Sequence, residues 1–213
     1  SVSISLIDLN SKPCCLYAGY QDLEPRYPAS LSKLFWLVAF KALQNSNAKS
    51  GNYFPLSLVS EQDEKAMIKE SDNNAASKIV DAISNTQSSQ DFLDEPDFSQ
   101  WVGGRFSINT FFRQAGYLNV NISQKNFPIP NLEMYQPVGP DLQMRSILLQ
   151  KEESPERNFL TSFDVSRLLF EIENKATVSN EISFQIKQFM YQDHKSEELI
   201  AKPYNPIKGF LGE

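Results

Sequence analysis

The amino-acid sequence predicts an α+β protein in which helices predominate. The first 20 residues alternate apolar and polar side chains on either side of a turn cluster at residues 10–13, which is the pattern of a β-hairpin. Most of the remaining chain has apolar residues at helical spacing, with capping residues before several of these segments. The 213 residues suffice for one large domain or two small ones.

The hairpin is predicted between Val2 and Tyr20, with Val2, Ile4 and Leu6 on its buried face. Cys14 and Cys15 are expected to be free thiols on opposite faces of the second strand, because neighbouring cysteines reach disulfide geometry only with strain. A two-stranded sheet is marginal alone. We therefore expect either that helices cover the hairpin unusually well or that further strands of the sheet are missing from this chain.

Residues 30–44 are apolar nearly all round, which predicts a helix at the centre of the fold that buries Trp36. Further helices are predicted at 60–68, 74–83 and 108–115, then from Thr161, and at 182–191. The remaining segments are predicted to be a polar loop at 45–52, an exposed loop at 86–100, an irregular covering segment at 119–158 and a turn-rich tail at 203–213.

Composition argues against several classes of protein. The chain has 20 Lys and Arg against 26 Asp and Glu, a net charge of −6, which disfavours a nucleic-acid partner. One histidine, His194, and two cysteines are too few for a structural zinc site and make a Ser-His-Asp hydrolase unfavourable. The longest apolar run, residues 34–40, is too short to cross a bilayer. We predict no transmembrane segment, no metal and no other cofactor.

The first motif with candidate chemistry is Ser30-Leu31-Ser32-Lys33. Ser30 and Lys33 would share one face of a helix, and Pro28 suits a helix start. Ser30 would then lie in the first turn, where unpaired N–H groups favour developing negative charge. Lys33 would lie inside a buried helix, where desolvation lowers the pKa of an amine until it can accept the serine proton. A second Ser-x-x-Lys match, which begins at Ser46, falls in the predicted polar loop.

The second motif is Ser71-Asp72-Asn73. All three residue types are good helix N-caps, and a predicted helix follows directly at 74–83. Taken alone, the motif is therefore better interpreted as a cap than as part of a site.

Together, residues 27–34 and 71–76 resemble the penicillin-recognising serine enzymes, in particular the class A β-lactamases, whose signatures include Ser-x-x-Lys and Ser-Asp-Asn. The hairpin, the Val102-Gly103-Gly104 stretch and residues 158–161 also follow the order of that family, so the resemblance extends from residue 2 to about 205. It implies a β-lactamase/transpeptidase-like fold, in which a helical subdomain packs on an antiparallel sheet formed by both chain ends.

The resemblance divides the chain into three parts. Residues 1–27 would be the N-terminal hairpin of the α/β subdomain, residues 28–175 the helical subdomain with both motifs, and residues 176–213 the return to the α/β subdomain.

The same resemblance implies roles for four residues. Ser30 would be the nucleophile, and Lys33 its base or proton partner. Ser71 would relay a proton to the departing nitrogen. Asn73 would hydrogen-bond both Lys33 and the amide carbonyl of the substrate. The backbone N–H of Ser30 would supply half of the oxyanion hole.

The chain departs from the family's pattern in its spacing and its acidic residues. Only 41 residues separate Ser30 from Ser71, which is short for the family. No Glu-x-x-Leu-Asn element is present to activate a deacylating water. Glu133 is the nearest glutamate in the irregular segment and is interpreted as a surface residue. We therefore expect slow deacylation, as in penicillin-binding proteins.

A third departure concerns the Lys-Thr-Gly or Lys-Ser-Gly triad, which is absent. Lys208 and Gly209 are followed by Phe210 instead of continuing such a triad. The strand that carries this triad in the family comes after this point. We therefore expect that the natural protein continues past Glu213 with the missing strand.

These features favour a serine acyl hydrolase that acts on a small-molecule β-lactam or a peptidoglycan-like D-alanyl amide or ester. The resemblance alone implies a periplasmic or secreted protein. The alternative is a catalytically weak or inactive binding or scaffold protein on the same fold, which the missing triad and deacylating carboxylate favour. The intact set Ser30, Lys33, Ser71 and Asn73 favours the hydrolase. The oligomeric state stays open.

Overall fold

The computed structural model describes residues 1–50, 58–150 and 157–193, together with residue 197. Within these ranges the chain is a mixed α+β structure dominated by helices, which confirms the predicted class. In chain order the elements are β1 (Ile4–Asp8), β2 (Leu16–Tyr20), a 3₁₀ turn (Ala29–Leu31), α1 (Ser32–Ser50), α2 (Glu61–Lys69), α3 (Asn73–Ser84), α4 (Asp97–Gln114), a second 3₁₀ turn (Pro130–Leu132), α5 (Gly139–Gln150), α6 (Ser162–Glu173) and α7 (Asn180–Met190).

The predicted hairpin is confirmed, with β1 and β2 antiparallel and Ile4 opposite Tyr20. Its predicted orientation is wrong. Val2, Ile4 and Leu6 are exposed, whereas Ser5 and Ile7 are half-buried on the face that packs against α6. Alternation defines two faces of a strand but does not say which one meets the helices. Here the more apolar face is the uncovered one.

Cys14 and Cys15 lie in the turn that precedes β2, and the structure joins them in a disulfide. The predictions that they are free thiols and that they lie on a strand are therefore both wrong. The two residues are outside the extended backbone that would have directed their side chains to opposite faces.

The central helix α1 confirms the prediction of an all-round apolar segment. Phe35, Trp36, Leu37 and Phe40 are fully buried, and Trp36 Nε1 donates a hydrogen bond of 2.9 Å to the Ile122 carbonyl. The polar loop predicted at 45–52 is wrong for residues 45–50, which extend α1. No glycine or proline occurs between Ser32 and Ser50, so the polar residues at 45–50 continue the helix.

Helices α2 and α3 are confirmed within a residue of their predicted ends. A capping box between Ser60 and Asp63 begins α2. Asp72 caps α3 by accepting a hydrogen bond from the Ala75 backbone, and Asn85 ends α3 in the left-handed conformation. Helices α2 and α3 pack against each other, and α3 also packs against α1, so that the start of α3 lies beside the start of α1.

Helix α4 is longer than the predicted helix at 108–115, because it begins at Asp97 and runs through Gly103 and Gly104. The loop predicted at 86–100 therefore ends at Pro96. A Cβ at Gly104 would collide with the Ser84 carbonyl oxygen. This glycine thus permits close packing of α4 on the end of α3 and does not end the helix.

The segment predicted to be irregular at 119–158 contains α5. Pro140 lies in the first turn of that helix, where the missing N–H of a proline costs no helical hydrogen bond. Helices α6 and α7 are confirmed, and they begin at the side-chain caps Thr161 and Ser179. The predicted tail at 203–213 and His194 lie outside the described residues.

One apolar core joins α1, α3, α6 and α7, together with part of α4 and residues 117–122. Among the helices that the structure describes, none combines the length and the apolar character needed to cross a bilayer.

A buried cluster of charges links α3, α4, α5 and the segment before Pro128. Arg105 is fully buried, and its guanidinium lies 3.0 Å from Asp81 and 3.4 Å from Asp141. Lys125 Nζ lies 2.6 Å from the other oxygen of Asp81. Two cations therefore offset two anions, and because Arg105, Lys125 and Asp141 are buried, each of these charges depends on its partners.

We predict that Arg105→Met lowers the free energy of unfolding by about 3 kcal/mol, because it leaves the buried Asp141 without a cation and Asp81 with Lys125 alone. Urea denaturation measures the loss. The matched control is Lys187→Met, which breaks an exposed pair with Glu173 and should cost less than about 1 kcal/mol. Equal effects of the two substitutions would contradict the proposed dependence on burial.

Candidate active site

Ser30 lies in the 3₁₀ turn that leads into α1, and its side chain is exposed. The preceding residue, Ala29, has a φ of +46°, which is uncommon for a residue with a Cβ. Two hydrogen bonds to the Ala29 carbonyl hold this turn. One comes from Ser32 Oγ at 2.9 Å and the other from Asn126 Nδ2 at 3.2 Å. The candidate nucleophile, Ser30, is thus exposed on a turn whose backbone is held by hydrogen bonds from Ser32 and Asn126.

Lys33 lies one turn further along α1 and is only 2% exposed. Its Nζ is 3.5 Å from Ser30 Oγ and 3.0 Å from Ser71 Oγ, and it also donates to the Ser71 carbonyl. Burial lowers the pKa of Lys33 from 10.5 to about 8, against the opposing effect of the Asp72 charge. Lys33 is therefore a buried amine close to the pH at which it can accept a proton.

Ser71 precedes the cap of α3, with an exposed side chain and a φ of +54°. Its hydroxyl donates a 2.9 Å hydrogen bond to Ser30 Oγ. The hydroxyls of Ser30 and Ser71 and the amine of Lys33 thus form a closed triangle. Three of the four residues identified from the sequence come together in the structure.

Asn73, the fourth residue, begins α3 but does not take the position that the resemblance implies. Its Nδ2 donates a 2.9 Å hydrogen bond to the Pro128 carbonyl. In the described part of the chain, Asn73 makes no hydrogen bond with Lys33, so that expected contact is wrong. The amine instead donates to Ser30 and Ser71, while Asn73 anchors the segment that follows Phe127.

Asn126, which precedes Phe127, makes a contribution that sequence reasoning missed. Asn126 is buried, and its Nδ2 also lies 3.2 Å from Ser32 Oγ, so one amide supports the turn that carries Ser30. A second anchor joins the Asn131 backbone N–H to Asn74 Oδ1 at 2.9 Å. The sequence marks this region only as an irregular covering segment. Nothing in it distinguishes Asn126 from the neighbouring polar residues.

Glu133 is exposed and ends the second 3₁₀ turn with a φ of +55°. This agrees with its interpretation as a surface residue. Among the residues that the structure describes, no group of three or more His, Cys, Asp or Glu side chains is arranged to hold a metal ion.

The triangle can support nucleophilic chemistry at a serine. With a pKa of about 8, roughly a tenth of Lys33 would be neutral at pH 7. A proton could leave Ser30 for Lys33 directly or through the Ser71 hydroxyl, which contacts both groups. The start of α1 lies beside Ser30, where the helix dipole favours negative charge.

Comparisons of the chain with protein-family models, with curated proteins and with solved structures found no match. The interpretation of this site therefore depends on its residues and their geometry.

We predict that Lys33 titrates near pH 8 in the folded protein, because burial disfavours its charged form. The ¹³Cε chemical shift of Lys33 followed against pH measures this, with the urea-unfolded chain as the reference. Asp72→Asn should lower the pKa further, since it removes a charge that raises the pKa while keeping a residue able to cap α3. A folded-state titration near 10.5 would show that Lys33 is solvated.

Proposed function

We propose that the protein is a serine acyl hydrolase of β-lactamase or penicillin-binding type, acylated at Ser30. The observation that supports this most is the triangle of Ser30 Oγ, Lys33 Nζ and Ser71 Oγ, with separations of 2.9–3.5 Å. Ser71 is 41 residues from Ser30, so only the packing of α3 against α1 brings the triangle together. A serine and a lysine that match Ser-x-x-Lys by chance have no reason to meet a second serine hydroxyl in this way.

In the proposed acylation, Ser30 Oγ attacks the carbonyl carbon of the substrate, and its proton passes to neutral Lys33. The carbonyl becomes an oxyanion, which the backbone N–H of Ser30 would stabilise at the start of the helix. When the carbonyl reforms, the C–N bond breaks and the nitrogen takes a proton from Ser71. Ser71 in turn regains a proton from Lys33, so the amine is neutral again.

The substrate that fits this chemistry is a β-lactam or a D-alanyl-type amide or ester, a class implied by the resemblance. A peptidoglycan-like substrate would place the protein in the periplasm or outside the cell. We propose slow deacylation, because the nearest glutamate in the covering segment, Glu133, is directed to solvent.

One observation favours the alternative, a binding protein with weak or no turnover. The Asn73 amide, which the resemblance assigns to the substrate carbonyl, donates to Pro128 instead. A substrate would have to displace that contact or bind without it. The experiments below separate the two functions, since only the hydrolase forms a covalent adduct.

We predict that incubation with benzylpenicillin adds the mass of one penicilloyl group to the protein, and that peptide mapping places the adduct on Ser30. Ser30→Ala should abolish labelling. The matched control is Ser46→Ala, which changes the exposed serine of the second Ser-x-x-Lys match and should leave labelling intact.

The rate of this labelling should rise with pH through about 8, because the neutral form of Lys33 accepts the proton. An adduct that persists in Ser30→Ala, or that maps elsewhere, would refute the assignment of the nucleophile. A protein that binds benzylpenicillin reversibly without any adduct would support the binding function instead.

We predict that Asn126→Ala slows acylation by about tenfold or more, because the turn that carries Ser30 loses a support and a small displacement of a nucleophile is costly. The rate of adduct formation at saturating benzylpenicillin measures this. Asn109→Ala is the matched control. Asn109 is also a buried amide, and it bonds to the Ile122 backbone and to Asn121.

Both asparagine substitutions should lower stability by about 1–2 kcal/mol, but only Asn126→Ala should slow acylation below the unfolding transition. Equal acylation rates in the two variants would assign Asn126 a purely structural role.

A further inference from the structure

A cavity of about 610 Å³ lies between α3 and the second 3₁₀ turn. Residues of α3 form one wall, the chain that follows α3 as far as Ser88 forms a second, and Ile129, Asn131 and Leu132 form the third. Neither Ser30 nor Lys33 lines it. The cavity is therefore separate from the candidate active site.

The charged residues that line this cavity are already paired. Lys78 lies 2.8 Å from Asp63, and Asp81 is held by Arg105 and Lys125. On the described walls, every charged side chain is therefore already in an ion pair within the protein. A charged ligand would lose its hydration without gaining a partner, so the walls favour an uncharged one.

Several neutral polar groups of the walls, in contrast, have no partner. Ser77 is 97% buried, and its hydroxyl makes no hydrogen bond. The side-chain amides of Asn85, Gln87 and Asn131 also make no hydrogen bond within the described part of the chain. The hydroxyl of Ser77 is too deeply buried to meet water, whereas the three amides lie on exposed residues that a ligand can reach.

The types of these groups indicate the chemistry of the ligand. Each side-chain amide offers both a donor and an acceptor, which is the complement of another amide. The lining also has an aliphatic part, which includes Leu58, Ala82 and Leu132. The described lining has no aromatic ring on which a sugar or a nucleobase could stack.

We propose that this cavity is a second ligand site, which binds an uncharged, amide-bearing ligand such as a short peptide segment with an aliphatic side chain. The aliphatic side chain lies against Ala82 and Leu132, and the peptide groups pair with the side-chain amides of Asn85, Gln87 and Asn131. The proposal does not depend on the catalytic function proposed above.

The site is joined to the candidate active site through one wall. Ile129 follows Pro128, whose carbonyl accepts the hydrogen bond of Asn73, and the Asn131 backbone donates to Asn74. A ligand in the cavity therefore contacts the segment that holds Asn73. The side chain that the resemblance assigns to substrate binding lies at the junction of the two sites.

The test uses N-acetyl-leucine methylamide as the probe and follows backbone amide shifts of the full chain by ¹H–¹⁵N NMR. We expect saturable shifts concentrated at residues 77–88 and 129–132. N-acetyl-leucine, which differs by a carboxylate, should bind about tenfold more weakly or not at all. Ser30→Ala should bind the probe as the wild type does, which distinguishes this site from a substrate subsite at the nucleophile.

Two substitutions test the cavity itself. Ala82→Phe fills it and should weaken binding by about tenfold or more, while Ala115→Phe, at the exposed end of α4, is the matched control. Gln87→Leu removes one amide from an exposed position and should weaken binding several-fold even if Ala82→Phe disturbs folding. Shifts centred on Ser30 and Ser71, equal binding of both probes, or no saturable shift up to the solubility limit would each overturn the proposal.

Discussion

The buried amine of Lys33 constrains the centre of this protein. An ammonium inside an apolar helix must have hydrogen-bond acceptors, because burial without them is far more costly than burial with them. Ser30 and Ser71 supply those acceptors, and Ser71 reaches the amine only because α3 packs against α1. The same contacts that compensate for burial also place two hydroxyls beside a base. Stability and chemistry therefore depend on one arrangement. The buried Lys33 lowers the stability of the fold, and the same Lys33 makes proton transfer from a serine feasible.

Much of the helical fold could be predicted because its signals are local. The apolar run of α1 and the caps at Ser60, Asp72 and Thr161 are each decided within a few residues. The sequence predicts less well those features that depend on residues distant in the chain. Glycine is unfavourable inside a helix, but Gly104 allows α4 to pack against the Ser84 carbonyl. The position of α6 determines which face of the hairpin is buried. Neither fact can be deduced from periodicity.

The candidate site also contains residues that the sequence predicts and residues that it does not. Ser30 and Lys33 are a turn apart, so their proximity follows from helix geometry, and the resemblance added Ser71. Asn126 could not be found, because its role is to support a carbonyl 97 residues earlier in the chain. Asn73 was placed by analogy against Lys33, but the Pro128 carbonyl offers its amide a partner that analogy did not include. Contacts to backbone atoms leave little trace in side-chain motifs, and these two asparagines both depend on them.

Because 41 residues separate the two serines, the contact of Ser71 with Ser30 and Lys33 depends on tertiary packing. A compact state with native helices but loosened packing would keep Ser30 and Lys33 together, since one helical turn joins them. It would lose Ser71, and the amine would be rehydrated and return toward ordinary basicity. The state of that single amine thus distinguishes a molten globule from the native protein, which far-ultraviolet circular dichroism alone does not do.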